Sequence, residues 1–179
     1  MNNPFNFADI NNSNNTNKYE PIPEKTLAKV RLNIKSGGYN DKSQGWDNDM
    51  ATKGATGSVF LKCEYTILGG KYKDRKIWSL IGLHSPKGPA WRDMGKKYVL
   101  SLIESSRGIY PKDKSDFANQ KRAITSLKEL DDLVFIAEIG IGKDANGEPK
   151  NEIKKAIAVG HPEYPTLMTN DQFENKLPF

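Results

Sequence analysis

Cysteine is nearly absent from this 179-residue chain, with Cys63 the only one. A lone thiol forms no internal disulfide and builds no thiolate metal cluster. Cys63 stands between Lys62 and Glu64 in a strand-like run, where a buried, inert thiol is expected. Histidine is almost as scarce: His84 and His161 are the only two, and neither has a metal-ligand spacing such as HExxH. There is no GxSxG. The stretch "GATGS" at Gly54 to Ser58 lacks the Lys-Ser/Thr that completes a phosphate loop, and "GKDANGEPKNE" misses the acidic spacing of a calcium loop. Asp131 and Asp132 read as solvated carboxylates. Nothing here asks for a catalytic centre, so the expectation is a non-enzyme without cofactor or metal.

Long apolar runs are also missing. No segment approaches ~18 consecutive apolar residues, and the N-terminal stretch has no apolar signal core. A soluble, cytoplasmic protein with no membrane partner is expected. The apolar fraction of 36% lies below the usual ~45–50%, so part of the chain should stay unpacked. Charge is unevenly spread. Lys and Arg number 27 against 22 for Asp and Glu, a net +5, while the stretch from His161 onward carries Glu163, Asp171 and Glu174 against Lys176. A basic body with a mildly acidic tail suits a polyanion ligand.

What the chain does contain is short-period patterning. Residues 1–25 are Asn-rich and broken by Pro4, Pro21 and Pro23, a composition that predicts a flexible segment. "LAKVRLNIK" then alternates: Ala28, Val30, Leu32 and Ile34 share one face, and Lys29, Arg31, Asn33 and Lys35 the other. Three positive charges and no negative one exceed what a merely solvated face needs. Residues 36–57 read as a long polar loop with five glycines that also holds Tyr39, Trp46 and Lys53. Two roles stand open for its aromatics: pins closing the loop on the core, or platforms for a ligand.

"SVFLKCEYTIL" is a second strand, with Phe60, Lys62, Glu64 and Thr66 opposite the apolar set. "KIWSLIGL" is a third, forming a hairpin with it, although its facing is ambiguous: Lys76, Trp78 and Leu80 oppose Ile77, Ser79 and Ile81. Ala90 to Glu104 has helical spacing, with Trp91, Met94, Tyr98, Val99, Leu102 and Ile103 as its apolar stripe. A short second helix is expected around "FANQKRAITSLKEL". A final hairpin, "DLVFIAEIGI" and "NEIKKAIAV", turns at Asn146-Gly147.

Five strands with a helix between the third and fourth is the order of the five-stranded Greek-key oligonucleotide-binding (OB) barrel. The expected layout is a flexible segment at 1–25, an OB-fold domain at 26–160 and a disordered tail at 161–179. Single strands are held by positive charge along the backbone and by aromatic faces under the bases. The residues falling where that fold forms its groove are Lys29, Arg31, Tyr39, Trp46, Lys53, Phe60, Lys62, Lys76 and Trp78.

Several stretches carry a resemblance: "NPFNFADI", "YEPIPEKTLAKVRLNIK", "YTILGGKYKDRKIWSLIGL" and "GEPKNEIKKAI". Spread over residues 4–157, they resemble a phage-encoded domain-of-unknown-function family associated with the single-stranded DNA-binding proteins of phage replication and recombination. The ending "DQFENKLPF" is similar to the tip of bacterial single-stranded DNA-binding proteins, which partner enzymes capture by its terminal carboxylate and Phe ring. It departs from that pattern in its few acids and in Lys176. The resemblance implies a protein that coats single-stranded DNA in the cytoplasm of a bacterial host and recruits replication or recombination proteins through Leu177, Pro178 and Phe179. An exposed barrel edge would also permit self-association. An RNA-binding OB module and a protein-interaction factor without nucleic acid remain the alternatives, and a tail packing on its own domain remains open.

Overall fold

The computed structural model describes residues 19–169. The predicted alternation at 27–35 yields strand β1 (Thr26–Lys35), in which Val30 and Leu32 are fully buried and Arg31 and Lys35 exposed. Past a hairpin-like excursion described below, β4 (Val59–Ile67) runs antiparallel to β1, in register from Val30 opposite Ile67 to Lys35 opposite Lys62. On the other edge of β4 lies β5 (Lys76–His84), and its register pairs Tyr65 with Ile77 and Glu64 with Trp78. That pairing settles the facing of β5: Ile77 and Ile81 point into the core, while Lys76, Trp78 and Leu80 point out. The first half of β1 pairs with β6 (Val134–Lys143), which in turn pairs with β7 (Pro149–Ala156).

Residues 36–57 are not the loop that the sequence suggests. They form β2 (Tyr39–Asp41), a 3-10 turn at Lys42–Gln44 and β3 (Trp46–Lys53). Gly45, at φ 75°, closes the turn. The end of β3 joins β4 through Thr52 opposite Phe60 and Lys53 opposite Val59, continuing the edge beyond the last residue of β1. Asn48 and Asp49 take φ of 54° and 59°, which breaks the regular alternation. Gly37 seats this hairpin, since a Cβ there would lie 1.9 Å from Thr52 Oγ1.

The sheet therefore has seven strands, in the order β2-β3-β4-β1-β6-β7 with β5 on the outer edge of β4. It curls far enough for β5 and β7 to touch, giving a mainly β, barrel-like half-closed sheet. Inside it, Tyr65, Phe135, Leu32, Leu61, Ile67 and Ile139 are fully buried. The Tyr65 hydroxyl accepts from Ser79 Oγ at 3.2 Å and Tyr98 Oη at 3.1 Å, so this buried phenol is satisfied. Burial pushes the neighbouring Cys63 thiol up to about 12.

Helix α1 (Ala90–Arg107) packs against β5, β6 and β7 and buries Leu102 and Ile103. Gly108, at φ 64°, ends it by donating its N–H to the Glu104 carbonyl. The expected apolar stripe is narrower than drawn, because Met94 is 67% exposed. The helix lies close to β5: a Cβ on Gly95 would stand 2.0 Å from the Gly82 carbonyl oxygen. The expected second helix splits into α2 (Asp116–Arg122), capped by the Ser115 hydroxyl, and a 3-10 turn at Leu127–Leu130 with a capping box of Ser126 and Glu129. Arg122 Nε donates to Glu104 at 2.8 Å, tying α2 to α1 through a pair with little exposure.

Packing extends past both expected domain limits. Ile22 is fully buried, its N–H donating to Asn151 Oδ1 at 2.8 Å and its carbonyl accepting from Asn151 Nδ2 at 2.9 Å. At the other end α3 (Tyr164–Thr169), inside the stretch expected to be tail, buries Tyr164 with its hydroxyl donating to the Ser105 carbonyl. Leu177, Pro178 and Phe179 lie outside the described residues. Among the described residues no helix is long and apolar enough to cross a membrane, and no three His, Cys, Asp or Glu side chains cluster as metal ligands.

Candidate functional site

Strand register converts the alternation of β1, β4 and β5 into rows across the outer sheet face. One row places Arg31 beside Thr66 and Lys76; the next places Asn33 beside Glu64 and Trp78. A third places Lys35 directly opposite Lys62, with Leu80 on the far side of Lys62. Trp78 and Leu80 remain 55% and 53% exposed, a large apolar outlay on a face bordered by cations. Like charges directly opposed across two strands disfavour the sheet. Among the described residues no carboxylate pairs with Arg31, Lys35 or Lys62.

Two acids meet this face, and both are engaged: Asp132 Oδ1 accepts from Asn33 Nδ2 at 2.7 Å at its edge, and Glu64 lies within it. Lys76 Nζ donates to Glu64 Oε1, and Trp78 Nε1 donates to its Oε2 at 3.0 Å. The Lys76 bond first, and the Trp78 bond second, hold its carboxyl below the usual carboxylate range. These contacts also fix the Trp78 ring by its N–H while leaving the ring half exposed.

At the end of the face Phe60 packs on Trp91, ring centroids 6.2 Å apart. Trp91 from α1 lies over Gly82 of β5, where a Cβ would come 2.3 Å from the indole. Beyond them opens a cleft of about 310 Å³ lined by the β2–β3 hairpin, Val59, His84 and Arg92. Tyr39 and Trp46 meet there at 6.1 Å and 48°, and Lys53 Nζ lies 5.1 Å from the Tyr39 ring centre. Arg92 comes from the first turn of α1, its Nε donating to Asp93 at 3.1 Å.

The hairpin bearing Tyr39 and Trp46 is anchored. Asp47 Oδ1 accepts from Ser126 Oγ at 3.1 Å and Leu127 N at 3.0 Å, and Asn48 Nδ2 donates to Ser126 Oγ at 2.7 Å. These bonds join β3 to the turn at Leu127–Leu130, so the aromatic pair is held at a fixed place relative to β4.

The structure thus gathers Tyr39, Trp46 and Lys53 in the cleft, and Arg31, Phe60, Lys62, Lys76 and Trp78 on the adjoining face. Lys29 stands apart. It does point outward, but opposite Ile136, where α3 covers the sheet with Tyr164, Leu167 and Met168, and its Nζ donates to the Met168 carbonyl at 3.0 Å. Sequence reasoning missed Lys35, Leu80 and Arg92 as members of the set. The alternation already put Lys35 and Leu80 beside their neighbours, whereas only the tertiary fold brings Arg92 to the hairpin. A search of protein-family models and a search of curated proteins return no match.

Proposed function

We propose that the protein binds single-stranded DNA, with little sequence preference along most of its length of contact. The observation that carries this reading is the juxtaposition of Lys35 and Lys62 beside exposed Trp78 and Leu80. A chain of phosphates relieves the repulsion of the paired cations, while unstacked bases cover the exposed aromatic and aliphatic surface. Rigid presentation of Tyr39 and Trp46 adds a second stacking place, since a ring held in position spends little ordering entropy on binding. A duplex offers phosphates but no free base faces, so the same surface favours the single strand.

On this reading β5, β4, β1, β6 and β7 are the five strands of an oligonucleotide-binding barrel, α1 is the helix between its third and fourth strands, and β2–β3 elaborate the loop between its first two. The chain would then belong with the phage-encoded family that its sequence resembles, coating single strands without catalysis. Its Leu177-Pro178-Phe179 segment would recruit replication or recombination partners.

Anisotropy titration of labelled oligo-dT, the matching duplex and oligo-rU at two salt concentrations tests the reading. Tighter, salt-sensitive binding to oligo-dT is expected. Preference for oligo-rU would replace DNA by RNA, and the absence of binding at low salt would overturn the proposal.

A further inference from the structure

The cleft differs from the sheet face in one respect: its rim carries groups able to read a base edge. Asp41 and Gln44 line it together with Tyr39, Trp46, Lys53 and Arg92. Its volume of about 310 Å³ falls at the lower end of the ~300–1,000 Å³ typical of small-molecule sites. The tilted Tyr39–Trp46 pair offers a ring face for one base, and Lys53 and Arg92 offer charge for its phosphate.

Asp41 supplies the discrimination. Its Oδ1 caps the turn, accepting from Ser43 N at 3.0 Å and Ser43 Oγ at 2.6 Å. Its Oδ2 takes no bond from any described residue. An ionised carboxylate only accepts hydrogen bonds. Thymine turns two carbonyls toward such a group, one on each side of its single N–H. Guanine turns two adjacent donors, N1–H and the 2-amino group. We infer that the cleft is a one-nucleotide subsite that favours guanine and disfavours thymine through Asp41, within an otherwise sequence-tolerant track. The inference rests on the single-stranded DNA reading.

The test compares a labelled dT 12-mer with the same 12-mer carrying one central dG, on the wild-type chain and on Asp41→Asn. A single guanine cannot form a quadruplex, and Asn caps a turn as well as Asp does. For the wild type, the dG oligonucleotide is expected to bind about five- to tenfold more tightly, the low end of base discrimination for a site open to water. Asp41→Asn should remove that gain while binding plain dT slightly more tightly, because one anion has left the phosphate path. A merely structural role for Asp41 would weaken both oligonucleotides. Equal affinities in the wild type, or a guanine gain that survives Asp41→Asn, overturns the inference and leaves the DNA reading standing. Failure of the wild type to bind plain dT at low salt overturns the DNA reading itself.

Discussion

Replacing Lys62 by glutamate should make the protein more stable and a poorer binder of DNA. Lys62 lies directly across from Lys35, and on its other side faces the uncharged Leu80. The substitution turns a like-charge cross-strand pair into an opposite-charge pair. Such pairs differ by roughly 0.2–1 kcal/mol. Lys and Glu are similarly poor strand formers, so intrinsic propensity cancels. For a domain of this size 1 kcal/mol moves Tm by about 2–4 °C, so a rise of about 1–3 °C is expected in low salt. At 1 M salt, where the screening length is about 3 Å, the rise should largely disappear. DNA binding should move the other way. Loss of one phosphate contact makes the negative slope of log K against log salt shallower by about 0.7, and the new carboxylate adds repulsion. Thermal melts monitored by circular dichroism, at low and high salt, and salt-dependent titrations with oligo-dT read the two effects separately. A fall in Tm at low salt, or unchanged DNA affinity, would refute the reasoning. Lys62→Gln should give a smaller stabilisation and a weaker loss of binding.

Trp46→Ala removes one ring of the cleft pair and should weaken binding of the dT 12-mer with one central dG by about tenfold or more, corresponding to roughly 1–3 kcal/mol per stacked base, in the same anisotropy assay. Gly95→Ala forces a methyl against the Gly82 carbonyl, where the ideal Cβ distance is 2.0 Å; overpacking of this kind costs about 1–3 kcal/mol and should lower Tm by several degrees. Arg122→Ala strips the guanidinium from Glu104, whose side chain is only 9% exposed, and should cost about 3–5 kcal/mol in urea titrations. Because burial raises the Cys63 thiol to about 12, a thiol reagent at pH 8 should label the folded protein only at its unfolding rate, and labelling should become rapid in denaturant.

The strands with unbroken alternation were legible in the sequence, because burial of one sheet face imposes a period of two that composition cannot imitate. β1 and β4 follow it from end to end, and the hairpin of β6 and β7 has its turn at the Asn146-Gly147 pair. The β2–β3 hairpin was not legible. "WDNDMATK" buries only Met50 and Ala51, and the left-handed residues Asn48 and Asp49 interrupt its period. What holds the hairpin is polar: Gly37 N and Gly38 N donate to the Asp49 carbonyl, and Ser126 and Leu127 donate to Asp47 from nearly eighty positions away. No window of sequence contains that second set. The facing of β5 was undecided for a related reason, since Trp78 and Leu80 on the outer face look as apolar as Ile77 and Ile81 on the inner one.

The fate of Lys29 shows the limit for the site. By alternation it is equivalent to Arg31 and Lys35, and all three do project from the same side of β1. What separates them is which neighbour each strand segment acquires. The first half of β1 pairs with β6, and there Leu27 and Ile136 make the outer face apolar enough to draw in α3, whose end accepts a hydrogen bond from Lys29. The second half pairs with β4, whose outward residues are Phe60, Lys62, Glu64 and Thr66, and there α1 reaches only the end of the face, where Trp91 meets Phe60. One strand therefore contributes to two surfaces, one closed by apolar packing and one left charged and aromatic. Periodicity tells which side of a sheet a residue faces, but the composition of the partner strand decides whether that side meets a helix or a ligand.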